Sequence, residues 1–293
     1  MKELQSKKYW IWLSLINDLG SIRTRNLLKK YHAPEIIWNL NKEELLKIEG
    51  IGEKVVDSIL NTSYRNNLDD YILKMKEQNI GIITIEDKEY PKLLKEIYDP
   101  PIYLYYKGNK EILNNIGFAI IGCRDCSEYG KKVAKNFSYN IAKNNINIIS
   151  GLAKGIDTCS HIGAIYAKGK TIAVVGNGLD MVYPKENETV INKILELGGC
   201  IVSEYHLGTK PEKINFPARN RIISGMSNSL IVVEAKKKSG TLITVDFALE
   251  QGRDVFVVPG NIDSVNSKGT NDLIKQGAKV ATCYQDVLDE YIN

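Results

Sequence analysis

The stretch AIIGCRDCSEYG, residues 119–130, decides the fold, because three kinds of local structure follow one another within it. The apolar run that ends at Ile121 is typical of a buried strand, and Gly122-Cys123-Arg124-Asp125 supplies a turn. From Glu128 to Asn144 the apolar residues take the spacing of an amphipathic helix. The stretch therefore predicts strand, glycine turn and helix, which is the repeating unit of α/β proteins.

The same unit recurs toward both ends of this stretch. Strands are predicted at Gly117–Ile121, Ile146–Ile149, Thr171–Val175, Cys200–Ser203, Ser229–Glu234, Asp254–Val258 and Lys279–Ala281. Helices are predicted near 128–144, 157–167, 188–196, 242–251 and 270–276. Continuous Val and Ile runs that alternate with helices predict a parallel sheet covered on both faces, a doubly wound α/β fold.

The first part of the chain has a different pattern. Residues 1–65 predict helices only, residues 66–110 a connector, and residues 111–293 the α/β region. Two helical hairpins stand out, turning at Gly20-Ser21 and at Gly50-Ile51-Gly52. The second has the form of a helix-hairpin-helix, whose backbone N–H groups can hold a DNA phosphate. A plain αα-hairpin uses the same turn chemistry, so both interpretations stay open. The connector predicts a helix at 68–78, strands at 81–85 and 102–106, and a short helix after Tyr90-Pro91.

Composition limits the partners of the chain. Its 293 residues are 43% hydrophobic and carry a formal net charge of +4, so a nucleic-acid site requires a local concentration of Lys and Arg. No apolar run approaches the roughly 18 residues that span a bilayer. The N-terminus MKELQSKKYW lacks the apolar segment of a signal peptide. We therefore expect a cytoplasmic protein.

Four glycine-containing loops follow strand ends and should meet at one edge of the sheet. They are Gly122–Asp125, Ser150–Gly155, Gly176–Gly178 and Glu234–Thr241. Small residues let a phosphate approach the backbone, and helix N-termini present N–H groups to it. The side chains that could supply positive charge are Arg124, Lys154, Lys185, Lys213, Arg219 and Arg221. Each lysine taken alone is equally compatible with a solvated surface charge.

The segment Phe216-Pro217-Ala218-Arg219-Asn220-Arg221 carries the strongest indication of a ligand. It has neither helical nor strand periodicity, and we expect an irregular segment. Its guanidinium groups suit phosphate oxygens, and an exposed Phe suits an unpaired base. A surface turn with solvated charges is the alternative.

Several chemistries are disfavoured. The first turn does not spell G-x-G-x-x-G, Ser150 stands where an acid should hold a ribose, and no Walker A loop is present. Asp157 and His161 favour a helix-capping carboxylate and a packed imidazole over a catalytic pair. Glu204 and Glu234 could act as acid or base, bind a metal, cap loops or pair with arginines. Cys123-x-x-Cys126 favours two small thiols over a zinc or redox site. We predict no cofactor and no metal.

Several longer stretches occur in order over about two hundred residues. They are YPKLLKEIYDPPIYLYYKG (90–108), AIIGCRDCSEYG (119–130), SGLAKGIDTCSHIGA (150–164), TIAVVGNGLDMVYPKEN (171–187), SEYHLGTKPEKINFPARNRIISGMS (203–227), VVEAKKKSGTLIT (232–244) and ALEQGRDVFVVPGNI (248–262). Together they resemble the DNA-processing protein A (DprA, also called Smf) family of bacterial natural transformation.

The resemblance implies an extended Rossmann-like domain that binds single-stranded DNA in a basic pocket, forms a homodimer, loads RecA recombinase and performs no catalysis. It implies that Arg124 is a main phosphate ligand, that Lys185 and Lys213 are further ones, and that Phe216 stacks on a base. It also implies a SAM-like or helix-hairpin-helix N-terminus. Cys123 replaces the usual serine, and the winged-helix tail of many members is expected to be missing.

The predicted DNA-binding set is Gly122, Arg124, Ser127, Lys154, Lys185, Lys213, Phe216, Arg219, Asn220, Arg221, Ser239, Gly240 and Thr241. The alternative from another class is a nucleotide or phosphoribosyl hydrolase in the same crevice. Such enzymes resemble this chain at a Gly-Thr turn, but Thr241 is followed by Leu242 rather than by a catalytic acid. A structural adaptor without a DNA role is the third possibility.

Overall fold

A computed structural model describes residues 2–16 and 18–291. One nine-stranded sheet runs through it. Its strands are β1 (Gly81–Thr84), β2 (Tyr103–Gly108), β3 (Gly117–Ile121), β4 (Asn147–Ser150), β5 (Thr171–Val175), β6 (Cys200–Ser203), β7 (Ser229–Val232), β8 (Asp254–Val257) and β9 (Lys279–Val280). Strands β3 to β9 pair in parallel, whereas β1 and β2 add an antiparallel edge. The doubly wound, Rossmann-like α/β fold is therefore confirmed.

The order of the strands is β1-β2-β6-β5-β4-β3-β7-β8-β9. The chain moves outward from β3 through β4, β5 and β6 on one side, and through β7, β8 and β9 on the other. Strand β3 is thus the point at which the winding reverses. In sheets of this kind the loops at the carboxyl ends of the strands part there and leave a crevice. The Gly122 turn that follows β3 lies at this position.

The α-helices are α1 (Lys2–Ser6), α2 (Lys8–Leu15), α3 (Gly20–Tyr31), α4 (Pro34–Trp38), α5 (Lys42–Leu46), α6 (Glu53–Leu60), α7 (Thr62–Asn66), α8 (Leu68–Glu77), α9 (Lys92–Lys95), α10 (Glu128–Lys143), α11 (Ile156–Tyr166), α12 (Glu188–Glu196), α13 (Asn215–Gly225), α14 (Gly240–Glu250), α15 (Lys268–Lys275) and α16 (Gln285–Leu288). Short 3₁₀ segments lie at Lys110–Asn114, Lys185–Asn187 and Val265–Ser267. No helix of the described residues is long and apolar enough to cross a membrane.

The expectation of an irregular segment at Phe216–Arg221 is wrong, because these residues form the first turns of α13. Pro217 is tolerated as the third residue of the helix, since the first four N–H groups of a helix have no partner within it. The apolar pair Ile222 and Ile223 comes only in the second half. The first half therefore lacks the spacing that identifies a helix from sequence.

Alternate residues of the central strands pack against opposite layers, as the two-residue period of a strand requires. Ala119 and Ile121 share a buried apolar cluster with Ile222 of α13. Phe118 and Ile120 share another with helices α10 and α11. Burial on both faces explains why these strands are continuous apolar runs.

The N-terminal helices pack on the antiparallel edge of the sheet. Trp12 is fully buried in a cluster that also contains Ile82 of β1 and Tyr105 of β2. Helix α8 belongs to the same cluster. The Tyr71 hydroxyl accepts a hydrogen bond of 2.8 Å from the backbone N–H of Leu207 in the loop after β6. The helices thus contact a loop that leads directly into α13.

Candidate nucleic-acid interface

The loops at the carboxyl edge of the sheet enclose a groove of about 710 Å³. Nine of the predicted residues line it: Gly122, Arg124, Lys213, Phe216, Arg219, Asn220, Ser239, Gly240 and Thr241. They come from the loops after β3 and β7, the segment before α13, and the starts of α13 and α14. Basic side chains from distant parts of the chain therefore meet in one groove, as the sequence predicts.

An aromatic stack forms part of the lining of the groove. The Arg124 guanidinium lies over the Phe216 ring, 5.2 Å from its centroid. The Phe216 ring in turn stacks on Tyr183, with 5.7 Å between centroids and an angle of 28° between the ring planes. Tyr183 is 41% exposed. Such a column of flat groups resembles the platforms on which unpaired bases stack.

Tyr183 is absent from the predicted set, although it lies between two loops that the sequence singles out. The dipeptide Tyr183-Pro184 next to Lys185 was the available signal. Lys236 is a second omission, because it lines the groove from the loop after β7. Its ammonium group lies 3.8 Å from the Asp125 carboxylate at a solvent-exposed position, where such a pair is weak.

Arg219 lies at the floor of the groove and is 4% exposed. Its Nη1 donates to the carbonyl oxygen of Gly151, at 2.5 Å, and to that of Val174. Burial lowers the pKa of Arg219 to about 10, with the Asp157 carboxylate opposing the shift, so the group stays charged at neutral pH. A Cβ on residue 151 would lie 2.5 Å from Nη1, so a larger residue there would displace the guanidinium. Arg219 thus ties the loop after β4 to the end of β5.

Arg221 does not reach the groove. It lies about 200° around the helix from Arg219, since each residue turns an α-helix by about 100°. Its Nη2 donates to Glu204 at 2.6 Å, and its Nε lies 3.5 Å from Asp99. Asp99 also accepts a hydrogen bond of 2.7 Å from Ser21. Arg221 therefore connects α13 to the linker before β2 and to the N-terminal helices.

Three further predicted residues lie at the margin of the groove or outside it. Lys154 pairs with Glu186 at 2.7 Å on the surface and lines a smaller adjoining cavity. Lys185 is exposed at the start of a 3₁₀ segment and lines neither cavity. Ser127 caps α10, because its Oγ accepts from the N–H of Gly130 at 3.0 Å and donates to Glu234 at 2.5 Å. Ser127 thus supports the turn that presents Arg124.

The Glu234 carboxylate has structural partners, whereas the two thiols are free. The Glu234 carboxylate accepts from the N–H of Ser127 at 2.9 Å. Cys123 and Cys126 are free thiols, and burial raises the pKa of Cys126 to about 11. No group of three or more metal-ligating side chains occurs in the part of the chain that the structure describes. These contacts match the capping role for Glu234 and the small-thiol interpretation of the cysteine pair.

His161 is a packed imidazole in the core. Thr171 Oγ donates to the carbonyl of Ile148 at 2.7 Å, so His161 Nδ1 must donate to Thr171 Oγ, also at 2.7 Å. Its Nε2 is buried without a partner among the described residues. Protonation would place an unsolvated N–H there, and burial accordingly lowers the pKa of His161 to about 3. Among the described residues Asp157 makes no hydrogen bond to the ring; it accepts from the N–H of Ala153 at 3.4 Å.

Replacing His161 by Gln should reduce the acid sensitivity of the fold. The pKa of His161 in the folded state lies below that of a histidine in the unfolded chain. The stability that neutral His161 contributes is therefore complete above about pH 6.5 and is lost as the pH falls toward 3. Between pH 7 and pH 5 the wild type should lose about 2 kcal/mol that His161→Gln retains. Urea unfolding at both pH values measures the difference.

The comparison with the variant is needed because another group titrates in the opposite sense. Burial raises the pKa of Asp157 to about 6, so its contribution to stability falls as the pH rises through 6. Asp157 is common to both proteins and cancels in the difference. Equal losses in wild type and His161→Gln would show that His161 is protonated in the folded state.

The second N-terminal hairpin, at Gly50-Ile51-Gly52, engages its neighbours within the helical unit. Arg23 donates to the carbonyl oxygen of Gly50 at 3.1 Å, and Lys54 pairs with Asp18 at 2.9 Å. The two hairpins thus pack on each other through their turns. These contacts are those of an αα-hairpin pair, and they occupy the cations nearest to the glycine turn.

Comparison with known proteins agrees with this architecture. Residues 81–292 match the sequence profile of the family described as DNA recombination-mediator protein A. The DNA processing protein DprA of Streptococcus pneumoniae is 42% identical over 267 residues, which cover 86% of this chain and 94% of that one. The protein Smf of Synechocystis sp. is 38% identical over 278 residues, which cover 93% of this chain and 69% of that one.

Solved structures give the same result. The X-ray structure of DNA processing protein A from S. pneumoniae superposes with a TM-score of 0.83 at 39% identity, and the match covers 97% of each chain. The structure of the Helicobacter pylori protein, described for its single-stranded DNA binding mode, gives a TM-score of 0.66 at 31% identity, covering 73% of this chain and 95% of that one. The resemblance seen in the sequence is thereby confirmed. This chain belongs to the DNA recombination-mediator protein A family.

Proposed function

We propose that the chain binds single-stranded DNA in the groove, protects it, and loads RecA recombinase onto it in the cytoplasm during natural transformation. The observation that carries the proposal is the stack of Arg124, Phe216 and Tyr183 between cationic side chains. The bases of a duplex are already stacked, whereas those of a single strand are free to add to such a column. The protein acts on DNA by binding, without catalysis of its own.

Phosphate oxygens are bound by the cations at the rim. Within the described residues, Arg124 and Lys213 make no ion pair, and both are exposed in the groove. A guanidinium donates to two oxygens of one phosphate, which suits Arg124 to the main contact. Lys213 lies three residues before Phe216 and takes a neighbouring phosphate. Lys185 provides long-range attraction from outside the groove.

The N-terminus of α14 adds backbone donors. Ser239 precedes the helix and makes no side-chain cap, so the first N–H groups, near Gly240 and Thr241, have no capping partner. Both residues line the groove. The partial positive charge of a helix N-terminus favours an anion at this position. This end of the groove therefore suits a phosphate rather than a base.

Two proposed partners lie beyond the groove. RecA receives the bound strand, and a second copy of the chain forms a homodimer. The open edge of the sheet supports the homodimer, because Val280 of β9 is 43% exposed and Ile262 of the loop after β8 is 80% exposed. Sedimentation of the purified chain distinguishes monomer from dimer, and the rate at which RecA displaces a single-strand-binding protein tests loading.

A nucleotide hydrolase in the same groove has less support. The carboxylates that line the groove are those of Asp125 and Asp157 in the part of the chain that the structure describes. Asp125 is almost fully exposed beside Lys236, and Asp157 is buried near Arg219. Release of free base from nucleoside monophosphates would establish the hydrolase instead.

A salt titration tests the binding mode. We expect a labelled thymidine 20-mer to bind more tightly than a 20-bp duplex, because only the unpaired bases reach Phe216. Its affinity should fall with a log–log slope of about −2, corresponding to roughly three neutralised phosphates at about 0.7 per phosphate. Fluorescence anisotropy at several salt concentrations measures both quantities. Tighter binding to the duplex at every salt concentration would refute the proposal.

A further inference from the structure

Helix α3 of the N-terminal unit carries a concentration of positive charge. Its 12 residues include Arg23, Arg25, Lys29 and Lys30 and no acid. Ile22, Arg25 and Lys29 lie on one face of the helix, because residues three, four or seven positions apart share a face. Ile22 is 56% exposed, and Lys29 is exposed without an ion pair among the described residues. This face is therefore open to an anionic ligand.

The linker before β2 adds an aromatic ring to the same face. Tyr98 is 92% exposed. Arg25 holds the backbone beside the ring, since it donates to the carbonyl oxygens of Tyr98 at 3.2 Å and of Pro100 at 3.3 Å. An exposed ring and a guanidinium thus lie together here, as Phe216 and Arg124 do in the groove.

One side of α13 leads from the groove to this face. Ile214, Ala218 and Arg221 follow one another along that side, because steps of four and seven residues return to the same face of a helix. Ile214 comes directly after Lys213 and is 75% exposed, and Ala218 is partly exposed. Arg221 lies 3.5 Å from Asp99 in the linker. The helix covers about 10 Å between Ile214 and Arg221, which is a few nucleotides at about 3.4 Å each.

The acids along this route do not cancel its positive charge. Asp99 lies against both Arg25 and Arg221, and it accepts a hydrogen bond from Ser21. Glu204 pairs with Arg221 at 2.6 Å. Two exposed acids of the route each stand next to a lysine in the chain, and they are Glu96 and Glu212. The cations of α3 therefore remain available to a ligand that extends beyond the groove.

We infer that a long single strand leaves the groove along this side of α13 and binds a second time at α3, with a phosphate at Lys29 and a base on Tyr98. The inference rests on the proposed binding of single-stranded DNA. The continuous route favours the strand already in the groove over a separate acidic partner, and an exposed ring suits an unpaired base. Affinity should then depend on strand length, because a short oligonucleotide occupies the groove alone.

The test compares a thymidine 5-mer with a thymidine 20-mer, which span roughly 17 and 70 Å at about 3.4 Å per nucleotide. Combined Lys29→Ala and Tyr98→Ala should weaken binding of the 20-mer by about 5- to 30-fold, the scale of one stacked base and one phosphate contact. Its salt slope should also become shallower by about 0.7. The affinity for the 5-mer, measured by competition against a labelled 20-mer, should remain that of the wild type.

Lys143→Ala combined with Tyr166→Ala is the matched control. It also removes one exposed lysine and one exposed tyrosine, from the ends of α10 and α11 at the opposite edge of the sheet. It should bind both strands as the wild type does. Because all four side chains are exposed, urea unfolding of both double variants should match the wild type.

The outcomes separate this second contact from the groove. A wild-type affinity of the Lys29 and Tyr98 variant for the 20-mer, or an equal loss for both lengths, would overturn the contact at α3 and leave the groove as the binding site. Failure of the wild type to bind either strand would instead overturn the proposed function.

Discussion

Arg124→Ala should weaken the binding of a thymidine 20-mer by roughly 10- to 150-fold. This range corresponds to the loss of one charge-assisted hydrogen bond to phosphate, which is worth about 1.5–3 kcal/mol. The effect should be similar for all base sequences, because a phosphate contact carries no base information. The salt slope should also become shallower by about 0.7 for the phosphate that is no longer neutralised. Fluorescence anisotropy measures the affinity and the slope.

Lys193→Ala is the control for net charge. It also removes one positive charge, from an exposed position on α12 near the opposite edge of the sheet, where Lys193 pairs with Glu196. Its affinity should remain within about twofold of wild type. Thermal unfolding of Arg124→Ala should be unchanged, since the side chain is exposed. A wild-type affinity for Arg124→Ala would remove this residue from the interface.

Arg221→Ala should differ from Arg124→Ala, because it should cause a large loss of stability. The side chains of Arg221 and Glu204 are only 11% and 19% exposed, and they lie 2.6 Å apart. Removing one partner of such a pair leaves an uncompensated carboxylate, which costs about 3 kcal/mol. For a chain of this size we expect the melting temperature to fall by roughly 5–10 °C. Urea unfolding gives the free energy directly.

A double replacement separates the ion pair from simple loss of packing. In Arg221→Met combined with Glu204→Leu, no charge of the pair is left alone, so the destabilisation should be smaller than in Arg221→Ala. Below its melting temperature, Arg221→Ala should bind DNA with a salt slope equal to that of the wild type. A shallower slope would mean that Arg221 contacts a phosphate after all.

Arg219 and Arg221 show how much of the site could be predicted from the sequence. The parallel sheet was predictable, because runs such as Thr171–Val175 are apolar on both faces and alternate with helices. The groove followed from it, since strand ends must meet at one edge. The separation of Arg219 from Arg221 was not predictable, because it depends on the rotation of a helix that Pro217 and the polar first turns conceal.

Tyr183 was missed for a related reason. Its value comes from stacking on Phe216, thirty-three positions later in the chain, and no local pattern encodes that contact. The coupling of the N-terminal helices to the sheet was hidden in the same way. The contacts of Asp99 with Ser21 and Arg221, and of Tyr71 with Leu207, join segments that are far apart in sequence.

These contacts have a practical consequence for anyone who trims the protein. A fragment that starts after Glu77 would lose helices α1 to α8 and with them the apolar cover of Ile82 and Tyr105. Ser21 would no longer hold Asp99, and Tyr71 would no longer hold Leu207. Apolar side chains that become exposed to solvent on an edge strand promote aggregation. The loop at Leu207 leads toward Lys213, so loosening it would also disturb the groove. Weak DNA binding by such a fragment would then reflect the disturbed groove rather than the binding capacity of an independent domain. The affinity for single-stranded DNA should therefore be measured with the untruncated polypeptide.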